Sequence, residues 1–234
     1  MAGSSEEPRE AAPDRRREGA KTPSVAAIVL AAGQSSRFRA EGGAEETKLV
    51  AEVSGEPIVR RALKAALASR ARPVVVVLGH ARAAVEAALA GLQAAMVVNP
   101  DFATGIASSL RAGLGALPFD AAAALVLLGD MPEVAPGLID LLIETFEAHP
   151  DALAVAPSHG GTRGNPVLIA RPLFAPAMCL VGDEGARRLL AALDPGQIIE
   201  VDPAGWDVSS DVDTPNDLAA AAARHAADKN KPRI

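Results

Sequence analysis

From Val25 onward, short aliphatic runs alternate with longer stretches whose apolar residues recur at helical spacing, and this alternation most constrains the fold. Val25–Leu30 has no polar residue at either parity, so it predicts a strand buried on both faces rather than one half open to water. Val74–Leu78, Ala95–Val98 and Ala123–Leu128 predict three more strands. Ile58–Ser69, Ala81–Ala90, Ser108–Leu117 and Pro136–Ala148 predict the helices between and after them, with Pro136 suited to a first turn. Such alternation implies a single-domain α/β fold, Rossmann-like, with a mostly parallel sheet and helices on both faces. Ligands of such sheets sit beyond the carboxyl ends of the strands, so the loops after Leu30, Leu78, Val98 and Leu128 are expected to share one rim. The second half is less regular, with strands near Leu153–Ala156 and Val167–Ala170 and helices near Glu184–Leu193 and Thr214–Ala227.

A chain of 234 residues, 49% of them hydrophobic, suits one packed domain. Residues 1–22 are charged and poor in large apolar side chains, which predicts a disordered tail, one domain over 23–228 and a second tail over 229–234. With 29 acidic against 23 basic residues the formal charge is -6, which offers no positive field to a nucleic acid or an anionic membrane. A small-molecule partner is expected instead. No apolar run approaches the roughly 20 residues of a membrane span, and the N-terminal stretch lacks the apolar core of a signal peptide, so a cytoplasmic location is expected. Cys179 is the only cysteine, which excludes an internal disulfide and predicts a small core residue. The four histidines have no spacing that suits zinc, and only His80, after Gly79, falls at the expected rim.

The loop Leu30-Ala31-Ala32-Gly33-Gln34-Ser35-Ser36-Arg37 follows the first strand and offers a flexible backbone, free amides and a cation. It is neither a P-loop nor a G-x-G-x-x-G fingerprint, and taken alone such a loop is more often a plain turn than a binding site. Lys48 lies where an ammonium reaches a polyphosphate, or is simply solvated. Leu125–Leu128 runs into Gly129-Asp130-Met131-Pro132, so a strand delivers one carboxylate to the rim, either to cap a turn or to hold a hard cation such as Mg2+ beside substrate phosphates. Asp211 and Asp213 are one alternation apart before a helix with Thr214 as N-cap and Pro215 at its first position, and one of them, Asp213 before Asp211, can join Asp130. Arg163 and Asn165 sit in the glycine-rich Gly160–Pro166 segment, a hairpin turn or an acceptor loop. Gly79, Asn99, Gly105, Ser108 and Ser109 surround two strand ends where a base can be read, although helix capping accounts for the serines equally well.

Taken together, the first loop, Lys48, Gly129–Pro132 and Asp211–Pro215 make the chain resemble the molybdenum cofactor nucleotidyltransferases, closest to the cytidylyltransferase branch, from about Val25 to Ala227. The pattern L-A-x-G-x-S-x-R is intact, and Arg163–Val167 matches the later R-G-x-P-V segment. One departure stands out: Arg37 and Lys48 are 11 positions apart where the family has R-x-G-x-x-K, so residues 39–47 form an insertion. The resemblance implies Mg2+-dependent transfer of CMP, with GMP as the alternative, from CTP to the phosphorylated pterin of the molybdenum cofactor, with release of pyrophosphate. It implies Arg37, Lys48 and Asp130 as catalytic residues, Asp130 and Asp213 as metal ligands, and Leu30, Ala31, Ala32, Gly33, Gln34, Ser35, Gly79, Asn99 and Ser109 around the nucleotide. Arg163, Asn165 and Asp183, the last within Gly182–Arg187, fall on the acceptor side, and Ala32 and Met131 resemble the cytidylyl branch. A molybdoenzyme would receive the product. The residues themselves leave open a transferase for another phosphorylated acceptor and a non-catalytic nucleotide-binding chaperone.

Overall fold

The structure is a computed structural model that describes residues 24–229 apart from 204, 207 and 209, so the tail expected over 1–22 lies outside the described residues. In chain order the elements are β1 (Val25–Ala31), α1 (Ser36–Ala40), β2 (Glu52–Val53), β3 (Glu56–Pro57), α2 (Ile58–Ala68), β4 (Val74–Leu78) and α3 (Arg82–Ala88). There follow β5 (Ala95–Val98), α4 (Ile106–Gly115), β6 (Ala123–Leu128), α5 (Pro136–Ala148), β7 (Ala154–His159), β8 (Thr162–Arg163) and β9 (Val167–Ala170). The chain closes with α6 (Phe174–Met178), α7 (Ala186–Ala191), β10 (Ile198–Val201) and α8 (Pro215–Lys229).

The main sheet has the order β10-β7-β9-β6-β1-β4-β5, with β8 paired to β7. β1 is central and parallel to both β4 and β6, and β5 extends the same parallel set. β9 runs antiparallel to β6 and β7, which makes the sheet mixed, although most of its pairings are parallel as expected. The absence of polar residues in β1 has its cause in the two cores. Val25, Ala27, Val29 and Ala31 pack with Leu63 and Ile139 on one face, while Ile28 and Leu30 pack with Leu110 and Leu114 on the other. On that second face α4 lies close to the strand, because a Cβ at Gly113 would stand 2.5 Å from Ile28 Cγ2. Fully burying aliphatic side chains on both faces contributes about 1.5–3 kcal/mol each, which is why this strand is the most predictable element of the chain.

Two expectations change. Cys179 is exposed rather than in the core. It follows the short helix α6, and the neighbouring Ala177 and Leu180 take the buried positions, so the sulfur is left on the outer side. β10 was not expected as a strand: four residues with Glu200 among them carry too little periodicity, and the strand exists only because β7 offers it a parallel edge. Among the described residues no helix is long and apolar enough to cross a membrane.

Because β1, β4, β5 and β6 are parallel, their following loops do meet at one rim. Backbone bonds tie it together: Gly129 N donates to Leu30 O at 2.9 Å and His80 N to Ala32 O at 3.2 Å. Val212 N donates to Asp130 O at 3.0 Å, so the segment before α8 reaches the tip of β6.

Candidate active site

Lys48 lies at the centre of the rim. Its Nζ stands 2.7 Å from Asp130 Oδ2 and 2.6 Å from Asp213 Oδ1, and Arg37 takes the other oxygen of Asp213 at 2.5 Å. Only 11% of the lysine side chain is exposed, against 75% for Arg37, so the lysine contacts are far less screened than the arginine one. Burial is the largest single influence on the ammonium and pulls its pKa down, but the Asp130 and Asp213 carboxylates together reverse this and hold it above the ordinary lysine value. Lys48 is therefore a cation at any neutral pH. Asp211 keeps one side in solvent, and its carboxyl is pushed up, first by partial burial and then by the negative charges of Asp130 and Asp213. Three carboxylates thus converge where the strand tip and the α8 approach meet.

The sequence reading missed what holds Lys48 there. Ser35, with φ 53°, turns the chain into α1, and its Oγ lies 2.9 Å from Thr47 Oγ1 and accepts Lys48 N at 3.1 Å. Thr47 is fully buried and also accepts Leu49 N at 3.4 Å. The insertion between them is anchored by Phe38, which is 1% exposed and packs so closely under Gly43 that a Cβ there would fall 2.2 Å from the ring. The inserted residues therefore leave and return through one hydroxyl clasp, which holds Lys48 N at the rim. The available signal was a threonine directly before the lysine. Thr47→Val is expected to cost about 1–2 kcal/mol of stability, since it removes the hydroxyl shared by Ser35 Oγ and Leu49 N, with Thr47→Ser restoring it in denaturation assays.

Asp213 depends on the start of α8. Thr214 N and its Oγ1 both donate to Asp217 Oδ2 at 2.8 Å, and Asp217 N donates back to Thr214 Oγ1 at 3.2 Å, a reciprocal cap. Asp213 N donates to the same oxygen at 3.1 Å, so the cap also fixes the aspartate backbone. The bond from Thr214 is the main cause that holds the Asp217 carboxyl below its usual range. A depressed pKa means that this stabilisation is complete above about pH 4–5 and fades as pH falls through the lowered native value. Asp217→Ala is expected to cost about 1 kcal/mol near neutrality and to flatten that acid limb of a stability–pH profile measured by thermal melting.

Two adjoining cavities open on the rim. The first, of about 400 Å3, is lined by Leu30, Ala32, Gly33, Gln34, Ser35, Lys48, Ser109, Asp130 and Asp183 among the residues singled out from the sequence. Phe102 and Ile106, which the sequence reading passed over, complete one wall. Ala31, Gly79 and Asn99 stand behind this surface. Ala31 is fully buried, and a Cβ at Gly79 would lie 2.7 Å from the methyl of Ala32. The Asn99 amide donates to Ser108 Oγ at 2.8 Å and Ser109 Oγ at 3.0 Å while its carbonyl accepts Asp101 N, so its polar atoms brace the β5–α4 turn. The second cavity, of about 310 Å3, is mostly aliphatic and carries Arg163, Asn165, Asp183 and Arg187. Arg163 Nε donates to Glu200 Oε1 at 2.7 Å. The Glu200 carboxyl is held low first by Ser158 and then by Arg163. Leu30, Ile106, Leu128 and Asp183 border both cavities, so a group bound in one abuts a group bound in the other.

The residues present suit a divalent cation. Asp130 Oδ1 is buried without a hydrogen-bond partner, and its other oxygen shares an ammonium with Asp213. Among the described residues no group of three or more His, Cys, Asp or Glu side chains encloses a metal ion on its own. One or two carboxylates completed by phosphate oxygens and water is the donor set that Mg2+ and Mn2+ accept.

Comparison with known proteins fits this geometry. The chain is 30% identical over 207 residues to the purine catabolism protein PucB of Bacillus subtilis strain 168, covering 84% of this chain and 95% of that one. It is 32% identical over 137 residues to the bifunctional protein GlmU of Micrococcus luteus, but spans only 27% of that longer protein. Among solved structures, Rv0371c of Mycobacterium tuberculosis H37Rv superposes with a TM-score of 0.72 at 27% identity, covering 86% of this chain and 98% of that one. The same protein in complex with manganese superposes with a TM-score of 0.70 at 25% identity. Residues 27–197, which hold the loop, Lys48, Asp130 and both cavities, match the MobA-like NTP transferase domain. The chain belongs to the family of that domain.

Proposed function

We propose that this chain is a divalent-cation-dependent cytidylyltransferase that moves CMP from CTP to the terminal phosphate of the molybdenum cofactor pterin. The observation that carries this reading is Lys48 held between Asp130 and Asp213 at the mouth of the glycine-serine loop, beside a second cavity that shares Asp183 with the first. An oxygen of the acceptor phosphate attacks the α-phosphorus of the nucleotide in line. The new P–O bond forms as the bond to the β-phosphate breaks, and pyrophosphate leaves with the electron pair. Amides from Gly33 to Ser35 face the β- and γ-phosphates, while Arg37 and Lys48 offset charge on the α-phosphate and the leaving group. Asp130 and Asp213 hold the cation, which when bound neutralises phosphate charge in the transition state. The manganese complex of a relative supports a divalent cation in this family. Arg163, Asn165 and Asp183 position the acceptor in the aliphatic cavity, where orientation supplies much of the rate.

Support for CTP comes from Ala32, which borders the first cavity and resembles the cytidylyl branch at a position where the guanylyl-transferring relatives tend to have glycine. Met131, the next residue after Asp130, is 3% exposed and likewise resembles the cytidylyl branch. The deciding experiment measures pyrophosphate release from CTP, GTP, ATP and UTP with molybdopterin, a sugar phosphate and an isoprenoid phosphate as acceptors. Release only with CTP and molybdopterin establishes the reading. Release with another acceptor keeps the transferase and replaces its substrate, and binding without release leaves a nucleotide-binding chaperone.

A further inference from the structure

We propose that Lys48 is the built-in counter-ion of the cation site, so that cation and triphosphate binding are coupled through the movement of a single ammonium. The proposal rests on the reading above that Asp130 and Asp213 face the divalent cation. Lys48 Nζ occupies a point 2.7 Å and 2.6 Å from one oxygen of each carboxylate, the position of a shared cation, and its side chain is almost wholly enclosed. While it stays there, a divalent cation meets two carboxylates whose charge Lys48 and Arg37 already offset, and an ammonium that repels it. The same ammonium has only one of its three N–H donors left for phosphate oxygens, because the other two are spent on Asp130 and Asp213.

The backbone allows only one kind of rearrangement. Lys48 N is held by Ser35 Oγ and its neighbour Thr47 by the clasp, so the residue cannot retreat as a whole. The four-carbon side chain can swing, and the adjoining cavity that Lys48 lines is where a triphosphate would draw it. Asp130 Oδ1, buried with no partner, stays available to whatever replaces the ammonium, and Arg37 still neutralises Asp213 from outside. Each ligand then prepares the site for the other: phosphates that draw Lys48 away expose the carboxylates, and a cation between the carboxylates drives Lys48 toward phosphate. By linkage the two enhancements are equal, and couplings of this kind run from about 5-fold to 150-fold.

A lysine that only binds phosphate predicts something different, and the full chain distinguishes the two. Mn2+ binding without nucleotide, followed by the electron paramagnetic resonance of free Mn2+, is expected to be at least about 10-fold tighter in Lys48→Gln and Lys48→Met than in the parent. CTP binding without metal is expected to weaken in the same variants. The parent alone gives a second readout that needs no variant to fold: acylation of the Lys48 amine, mapped by mass spectrometry against the exposed Lys64, is expected to accelerate several-fold when Mn2+ is added. Unchanged or weaker Mn2+ binding in both variants overturns the proposal, and so does an acylation ratio indifferent to Mn2+. Tighter Mn2+ binding without pyrophosphate release from any nucleotide keeps the counter-ion role and removes the transferase reading. Pyrophosphate release with Mn2+ binding indifferent to Lys48 does the reverse.

Discussion

Asp130→Asn is expected to lower pyrophosphate release by about two to three orders of magnitude while leaving stability within about 1 kcal/mol of the parent, as measured by initial rates and by denaturant melts of the same preparation. The two effects separate because the side chain does little for the fold. Its Oδ1 is buried without a partner, which is an unfavourable placement in the free protein, and Lys48 keeps Asp213 when the charge on Asp130 is removed. What docks the α8 approach against β6 is the main-chain carbonyl of Asp130, which accepts Val212 N at 3.0 Å and is untouched by the substitution. A carboxylate kept at a cost in the free state is the pattern expected of a group whose partner arrives with substrate. Loss of several kcal/mol of stability with activity retained would show that Asp130 is scaffold.

Gly105→Ala is expected to be the most damaging single methyl addition at the rim, costing at least about 2 kcal/mol in melts and raising KM for both substrates. Gly105 has φ 107° and ψ 171°, a conformation open essentially to glycine alone. A Cβ there would stand 2.2 Å from the carbonyl carbon and oxygen of Gly182, and backbone cannot yield as a flexible side chain does. Gly182 O accepts Ala107 N at 3.1 Å, so displacing this contact moves the segment carrying Asp183, which borders both cavities. Gly33→Ala is the matched control. Nothing lies within 4 Å of a Cβ at Gly33, so its stability should match the parent even where the added methyl crowds bound phosphates. Equal melting of Gly105→Ala and the parent would mean that the Gly182 loop is free to shift.

The elements best read from sequence were those whose signal lies within one element. β1, β4 and β6 have uninterrupted aliphatic runs because water reaches neither face, and α5 is announced by Pro136 at its first turn. The common rim followed from the same pattern, since parallel strands put their following loops at one end. Thr214 and Pro215 at the start of α8 were legible for the same local reason. β10 and the outward Cys179 were not, because a four-residue strand and a five-residue helix are too short for periodicity to fix a face.

The sequence by itself determined a doubly covered α/β sheet and the residue types gathered at its rim: the glycine-serine loop, a lysine and aspartates at strand and helix ends. Only the tertiary structure decided which of them touch. Lys48 reaches Asp213 across 165 positions of chain, and Gly105 meets Gly182 through bare backbone. Contacts of that range depend on how the whole sheet is ordered and leave no periodic trace near either partner. The clasp of Ser35 and Thr47 belongs to the same class, because a hydroxyl pair closing an insertion looks, in sequence, like two ordinary polar residues of a loop.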